Sequence, residues 1–389
     1  MANMFLMPGM VFIGEDALES SREELKKLGR KALIVTDRMM GELDNVRRLT
    51  DLLDRIGIRY GIYDGINTEP TDSMVEEGLR IYREEGCDFL IGLGGGSPLD
   101  AMKAIGVLVT NPGDIMDFCG KPVIQELPPT VCIPTTAGTG SETTKSSVIT
   151  NQKTSVKMLV SDPKLMATMA IVDPLFTITV PKDVTVATGI DALTHAIEAY
   201  TSKKACQLSD TQSISSVRRI FANIRTACIN GSDKKARSQM AIASFEAGIA
   251  FNNSSVTLVH GMSRPIGAMF HVPHGASNAM LLVRSLDFIR PEAAARLHDL
   301  AVAIGAAKPG DGIQEGAAAF VEETRRLLSS IGVKGIHEFN IDQDAFYRAM
   351  DKMAEDALAS GSPGNSRREV RKEDIIDIYK GLWQDALAS

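Results

Sequence analysis

The sequence predicts an α/β N-terminal half followed by an all-helical C-terminal half. Over the first 180 residues, short β-branched and aliphatic runs alternate with stretches of helical periodicity, which is typical of a parallel sheet covered on both faces. Beyond Pro181 the strand-like runs nearly disappear, and 3.6-residue periodicity dominates. A chain of 389 residues is long enough for two domains. We therefore expect domains at 1–180 and 181–389.

In the first half, the strands are predicted where apolar runs end in turn residues. We expect strands at 32–35, 59–63, 89–91 and 130–133. Apolar positions at helical spacing predict helices at 74–85 and 99–109.

The second half contains long stretches in which apolar residues recur with a helical period. They predict helices at 183–201, 208–229, 234–251, 291–304, 313–330, 342–358 and 372–383. Between residues 260 and 275, prolines and glycines are expected to break the helix so that the chain turns back; these are Pro265, Gly267, Pro273 and Gly275.

Composition and charge exclude several classes of protein. The net charge of −7 argues against nucleic acid as a partner, which would call for a basic face. No apolar run approaches the roughly 20 residues of a membrane span, so we expect no membrane partner. The start of the chain has no basic leader, and the five scattered cysteines form no C-x-x-C pair. We therefore expect a cytoplasmic enzyme that acts on a small molecule.

A glycine-rich turn follows the strand predicted at 89–91. Glycines let a backbone approach a pyrophosphate, and the free N–H groups at a helix start point towards an anion. The turn departs from the G-x-G-x-x-G template at Ser97, and the candidate ribose-binding acid, Asp37, comes earlier in the chain instead of later. An ordinary strand-to-helix turn is the alternative. The nucleotide cradle is predicted at Gly94, Gly95, Gly96 and Ser97.

A second polar loop, 134–142, follows the strand predicted at 130–133. It carries four hydroxyl groups and two glycines, which suit phosphate and ribose oxygens. Alone it is equally consistent with a polar turn, but two such loops after two strands favour nucleotide binding. The hydroxyl groups belong to Thr135, Thr136, Thr139 and Ser141.

Four of the six histidines lie within an 80-residue stretch of the helical half. Asp191 and His195 stand at i and i+4, so they share one helix face and can reach one metal ion. His260 and His274 are each followed by glycine, and a chain that turns back brings both to the same ion. These oxygen and nitrogen donors suit Fe²⁺ or Zn²⁺. For Asp191 and His195 alone, a surface ion pair is the alternative, and Glu198 is predicted to be a structural partner, not a ligand.

These motifs together resemble those of the iron-containing, group III alcohol dehydrogenases. The matching segments cover essentially the whole chain in the family's order: 94–97 with Asp100 and Lys103, 134–142, 173–174, 189–198, 260–262 and 273–275. The resemblance implies a dehydroquinate synthase-like fold, with an α/β dinucleotide-binding domain and an all-α metal-binding domain. It further implies a homodimer or higher homo-oligomer that transfers hydride between NAD(P) and a small alcohol, aldehyde or ketone, with metal assistance.

The resemblance also assigns individual residues. It makes Asp191, His195, His260 and His274 the metal ligands. Asp37 is similar to the acid that binds the adenosine ribose, which favours NAD over NADP because a carboxylate repels a 2′-phosphate. The cofactor contacts are Asp37, Gly94, Gly95, Gly96, Ser97, Asp100, Thr135, Thr136, Thr139, Ser141 and, near the nicotinamide ribose, Lys157.

The chain departs from the family pattern at Arg264, where many members carry histidine four residues after the third ligand. Arginine cannot carry a proton to and fro near neutral pH, so we expect another route, through a ribose hydroxyl, water or His271. A permanent cation would favour anionic substrates; alternatively, Arg264 pairs with a neighbouring carboxylate. Two other functions stay open, a lyase resembling dehydroquinate synthase and a catalytically silent NAD- or metal-binding module.

Overall fold

The computed structural model describes residues 4–42, 44–153 and 156–385. The chain divides into two compact units, Met1–Val180 and Pro181–Ser389. The first unit contains a parallel sheet flanked by helices, and the second is helical, which confirms the predicted fold class.

The first unit is built on a six-stranded parallel sheet and a separate antiparallel hairpin, β6–β7. Its strands are β1 (Met10–Ile13), β2 (Lys31–Val35), β3 (Arg59–Tyr63), β4 (Phe89–Gly94), β5 (Thr130–Pro134), β6 (Ser146–Asn151), β7 (Val156–Ser161) and β8 (Met169–Val172). Its helices are α1 (Ala17–Ser20), α2 (Arg22–Leu28), α3 (Arg38–Glu42), α4 (Asn45–Ile56), α5 (Asp72–Glu84) and α6 (Gly96–Thr110). Short 3₁₀ helices lie at Ile115–Phe118, Ser141–Thr143, Pro163–Leu165 and Pro174–Phe176.

The strand order of the large sheet is β1-β8-β5-β4-β2-β3. The chain passes from β2 outward to β3 and then crosses back to β4 on the other side of β2, so the winding direction reverses between β2 and β4. In open parallel sheets, ligands bind at the carboxyl ends of the two strands that flank such a reversal. Asp37 follows β2, and the glycine-rich turn follows β4, so both predicted nucleotide-binding features lie at this point.

Both faces of the sheet are buried at its central strands β2, β4, β5 and β8, and this explains the continuous apolar runs of those strands. Along β2, Leu33 and Val35 belong to one hydrophobic cluster, whereas Ala32 and Ile34 belong to the cluster on the opposite face. Successive side chains of a strand point to opposite faces, so a strand covered on both sides has no polar alternation.

The second unit consists of eight α-helices within the described residues. They are α7 (Lys182–Thr201), α8 (Gln207–Ile229), α9 (Lys234–Ser254), α10 (Leu258–Phe270), α11 (His274–Ala303), α12 (Ile313–Ile331), α13 (Gln343–Ala359) and α14 (Lys372–Asp385), with 3₁₀ helices at Ile336–Phe339 and Pro363–Asn365. Side-chain caps fix some of the starts: Asp233 accepts from the N–H of Ala236, and Asp342 accepts from that of Ala345. In the part of the chain that is described, no helix combines the length and apolar character needed to cross a membrane.

Two predictions about helix breaks in this unit were wrong. The predicted helix at 291–304 is the second part of α11, which continues through Pro291. Likewise, Pro265 and Gly267 lie inside α10 and Gly275 lies inside α11, so none of the three ends a helix. The chain turns between them at His271, whose left-handed backbone (φ 55°) ends α10, and at Pro273, which precedes α11.

Candidate metal centre and nucleotide-binding loops

Three helices of the second unit bring four predicted ligands together. α7 carries Asp191 and His195 one turn apart, α10 carries His260 in its first turn, and α11 begins with His274. The Oδ1 atom of Asp191 lies 3.9 Å from Nδ1 of His195, 3.5 Å from Nε2 of His260 and 3.7 Å from Nε2 of His274. Ligand atoms of Asp191, His195 and His260 all lie within 4.8 Å of one another.

The spacing of the Asp191, His195 and His260 atoms fits a single divalent ion, and His274 lies beside Oδ1 of Asp191 but outside this mutually close group. Ligands about 2.1 Å from a tetrahedral metal stand about 3.4 Å apart, close to the separations from Asp191. One carboxylate and three imidazoles form a donor set that suits Fe²⁺ or Zn²⁺ better than Mg²⁺ or Ca²⁺. The side chains of Asp191 and His260 are 3% exposed, whereas that of His274 is 39% exposed. The centre is therefore open on the side of His274.

The electrostatics of the cluster favour an ionised aspartate. Burial alone favours the neutral acid, but His195, His260 and His274 lower the pKa of Asp191 below its usual range. Burial also opposes a charge on His260, yet the carboxylates of Glu198 and Asp191 raise its pKa to about 9. In the metal-free cluster the negative charge of Asp191 is thus balanced by the protonated His260, and a bound metal ion would take the place of that proton.

Glu198 lies one turn beyond His195 on α7, and its carboxylate holds His260. Its Oε2 lies 2.6 Å from Nδ1 of His260, and its Oε1 accepts hydrogen bonds from Oγ1 of Thr257 (2.8 Å) and the N–H of Val259 (2.6 Å). The prediction that Glu198 is a structural partner is confirmed by these contacts.

Sequence reasoning missed Asn278, which lies in the centre of the cluster. Its Nδ2 donates to Oδ1 of Asp191 at 2.7 Å and lies 3.2 Å from Nε2 of His260 and 3.3 Å from Nε2 of His274. Asn278 is fully buried on α11, four residues after His274. That i, i+4 spacing is the same signal that links Asp191 to His195, and it would have identified Asn278.

The two remaining candidates of this unit differ in position. Arg264 is partly buried on α10, one turn after His260, and its Nη1 donates to Oγ of Ser362 at 3.3 Å. Within the described residues Arg264 forms no ion pair, although the Glu198 carboxylate acts on it electrostatically, and the alternative of a neighbouring carboxylate partner stays a prediction. His271 is exposed at the end of α10 and contributes no atom to the convergent ligand group, and its part in proton transfer stays a prediction.

In the first unit, the two predicted nucleotide loops lie against each other. The backbone of Gly94 has φ 154°, and a Cβ there would come within 2.5 Å of Pro98. A Cβ on Gly95 would lie 3.5 Å from Oγ1 of Thr136, and one on Gly96 would lie 3.0 Å from Cγ2 of Thr139. Glycine at positions 95 and 96 therefore leaves open backbone beside hydroxyl groups, as phosphate binding requires.

A buried polar network joins the start of α6 to the second loop. Asp100 accepts hydrogen bonds from Oγ of Ser141 (2.6 Å) and from the N–H of Val148 (3.0 Å). The fully buried ammonium of Lys103 donates to the carbonyl oxygens of Ser141 (2.6 Å) and Thr144 (2.9 Å). Asp100 and Ser141, predicted as cofactor contacts, are thus engaged with the protein and hold the loop in place.

The other predicted cofactor residues have mixed surroundings. Asp37 is partly buried beyond the end of β2, where its Oδ1 accepts from the N–H of Met40 (3.1 Å) and burial raises its pKa. Thr135 has a buried Oγ1 without a hydrogen-bond partner among the described residues, and Ser97 lies in the first turn of α6. Lys157, on β7, forms an ion pair with Glu69 at 2.5 Å, so contact with a nicotinamide ribose would require it to leave that carboxylate.

Comparison with known protein families gives matches in both units. The family model described as iron-containing alcohol dehydrogenase matches residues 8–174, and the model of the C-terminal part of the Fe-containing alcohol dehydrogenase family matches 185–383. A 1,3-propanediol dehydrogenase of Citrobacter freundii is 35% identical over 97% of each chain. A lactaldehyde reductase of Escherichia coli K12 is 34% identical over 98% of this chain and all of its own.

Solved structures agree with these matches. A crystal structure of 1,3-propanediol oxidoreductase has a TM-score of 0.95 and 34% identity, covering 98% of this chain and 100% of that one. A sulfoacetaldehyde reductase from Bifidobacterium kashiwanohense, solved in complex with NAD⁺, has a TM-score of 0.88 and 25% identity, covering 98% and 99% of the two chains.

Proposed function

This chain belongs to the iron-containing alcohol dehydrogenase family and is an oxidoreductase that interconverts alcohols and aldehydes. We propose that it uses NAD and binds its iron at the cluster around Asp191. The proposed ligands are Asp191, His195, His260 and His274. The observation that carries this assignment is the convergence of donor atoms around Oδ1 of Asp191. The second unit is then the metal-binding and catalytic domain, and the first is the NAD-binding domain.

At the metal centre, bound iron supplies Lewis-acid polarisation of the substrate oxygen, and NAD supplies the hydride chemistry. The protein contributes an ionised Asp191 and a His260 whose Nδ1 is held by Glu198, so that Nε2 is the atom that would exchange its proton for the ion. The exposed side of His274 admits the substrate, while the buried sides of Asp191 and His260 exclude water.

In the first unit, Asp37 is proposed to accept hydrogen bonds from the adenosine ribose, and the glycine turn to receive the pyrophosphate. The support is the reversal of strand order between β2 and β4, the open backbone at Gly95 and Gly96, and the unpartnered hydroxyl of Thr135. Lys157 is proposed to reach the nicotinamide ribose after it releases Glu69.

The proposal also covers the oligomeric state of the protein and its location in the cell. A homodimer or higher homo-oligomer is supported by the cross-strand neighbours Val148 and Leu159 of the β6–β7 hairpin, which are 39% and 51% exposed. A cytoplasmic location is supported by five free cysteines. Analytical ultracentrifugation tests the first statement, and a monomer at micromolar concentration contradicts it.

The function is tested by purifying the protein without oxygen, reloading it with Fe²⁺, and measuring turnover of NAD⁺ with an alcohol panel and of NADH with an aldehyde panel. The variant His260→Ala should lose bound iron and activity, whereas His337→Ala, an exposed histidine, should keep both. Turnover of an alcohol or aldehyde with the cofactor would distinguish an oxidoreductase from a catalytically silent binding module. The family match favours an oxidoreductase over a lyase. Full activity in an iron-free His260→Ala protein would contradict the assignment.

A further inference from the structure

Arg264 is a cation that follows the candidate metal ligand His260 on the same helix. It lies on α10 one turn after His260, and its Nη1 donates to the Ser362 hydroxyl at 3.3 Å. No ion pair is formed by Arg264 within the described residues, whereas the partly buried Arg219 and Arg296 of the same unit each pair with a carboxylate. A guanidinium carries five N–H donors, so most of those on Arg264 are available to a ligand.

The position of this charge relates it to the open side of the cluster. Arg264 follows His260 by one turn of α10, so the two side chains lie on the same face of that helix. The centroids of the His260 and His274 rings lie 5.3 Å apart. Because His274 is the ligand with an exposed side chain, the helix face that carries Arg264 adjoins the side from which a small molecule reaches the ligand atoms.

We propose that Arg264 binds an acidic group of the substrate, so that the preferred substrates are short aldehydes and alcohols carrying a carboxylate or a similar oxyanion. This inference rests on the function proposed above, because it adds a substrate class to the same site. A planar guanidinium matches the two oxygens of a carboxylate. Because Arg264 stands one turn from His260 on the same helix face, a short carbon chain is enough to join a reacting carbon near the ligand atoms to an acid at the guanidinium.

The kinetic test compares two aldehydes of equal length, 4-oxobutanoate and butanal. The ratio of their kcat/KM values with NADH is measured in the wild type, Arg264→Ala, Ser362→Ala and Arg218→Ala. Arg218 is an exposed arginine of α8, and Ser362→Ala removes the hydroxyl partner but keeps the guanidinium. The wild type should favour the acid, and Arg264→Ala should lower the ratio by about tenfold or more, as for a hydrogen bond to a charged group. The other two variants should keep the wild-type preference.

A binding measurement separates this inference from the proposed function. Calorimetric titration of 4-hydroxybutanoate into metal-free protein with NAD⁺ should show about tenfold weaker binding for Arg264→Ala. If the kinetic ratio and this affinity are the same in Arg264→Ala and the wild type, the subsite is overturned, although reduction of butanal would still uphold the dehydrogenase. If the wild type reduces neither aldehyde, the proposed function fails, and the titration alone decides whether Arg264 binds the acid.

Discussion

The imidazole Nδ1 of His260 lies 2.6 Å from Oε2 of Glu198, and both side chains are almost entirely buried. A carboxylate at this distance keeps a proton on Nδ1, so that Nε2 is the nitrogen that would give up its proton and bind a metal. Glu198 is itself fixed by Thr257 and Val259, so the orientation of the ring is set before an ion arrives.

Replacement of Glu198 by Gln should weaken metal binding about 10- to 100-fold, because the neutral amide orients His260 less strongly and makes it a poorer donor. Competition of the purified variant with a chelator for Fe²⁺ or Zn²⁺ measures this loss. Glu246→Gln is the matched control, since Glu246 is a partly buried glutamate of α9 that pairs with Arg219. Equal affinities in the wild type and Glu198→Gln would show that Glu198 has no orienting role.

The metal centre could be predicted largely from local spacing, because helical geometry alone places Asp191 and His195 on one face. The convergence of α10 and α11 could not be derived in the same way. Prolines and glycines suggested breaks at several positions, but tertiary packing keeps Pro265 and Pro291 inside helices and concentrates the turn at His271.

In the first unit, too, the sequence predicted only part of the observed structure. Strands β2, β3, β4 and β5 were predicted within a few residues, whereas β1, β8 and the β6–β7 hairpin were missed. Val148 and Leu159 of the hairpin are exposed, and polar residues such as Ser146 and Lys157 interrupt it, so its pattern does not stand out from a loop.

Alanine at Gly94 should destabilise the first unit by about 2 kcal/mol or more, because its φ of 154° disfavours a side chain and its Cβ would meet Pro98 at 2.5 Å. Chemical denaturation measures the change, and NAD⁺ affinity should fall with it. The control is Gly310→Ala, since a Cβ at Gly310 meets no atom within 4 Å. An equal loss of stability in Gly94→Ala and Gly310→Ala would show that the backbone conformation at Gly94 does not require glycine.

Methionine at Lys103 should loosen the second loop while keeping much of the side chain's apolar volume. The buried carbonyl oxygens of Ser141, Thr144 and Ser146 would lose their donor, and each unsatisfied group costs about 1–3 kcal/mol. Thermal unfolding should occur at lower temperature, and NAD⁺ should bind more weakly. Lys26→Met, at an exposed lysine of α2, should change neither value. If Lys103→Met binds NAD⁺ as tightly as the wild type, the hydrogen bonds of Lys103 to the second loop are not needed for cofactor binding.

Removal of the charge at Asp37 should narrow the preference for NAD over NADP. Asp37→Asn keeps an oxygen that can accept from the N–H of Met40 but no longer repels a 2′-phosphate. The ratio of kcat/KM for the two cofactors should therefore fall, whereas Asp64→Asn, just after β3, should leave it unchanged. Equal use of both cofactors by the wild type would contradict the role of Asp37.

The stability of the first unit should depend on pH through Glu142, which lies at the end of the second loop. Burial raises the pKa of this carboxyl from 4.5 to about 7, opposed by its own backbone N–H and by Lys103. In the unfolded chain the group ionises near 4.5, whereas in the folded chain it keeps its proton until pH 7. The folded state therefore binds more protons between these values, and stability falls as pH rises.

Glu142→Gln removes this penalty, so the variant should gain stability relative to the wild type as pH rises from 5 to 7.5, by about 3 kcal/mol at most. Denaturation midpoints are compared at each pH in the presence of chelator, so that metal binding does not contribute. Glu76→Gln, at an exposed position of α5, is the matched control and should show no such trend. A difference between Glu142→Gln and the wild type that stays constant across this range would mean that Glu142 is ionised in the folded protein.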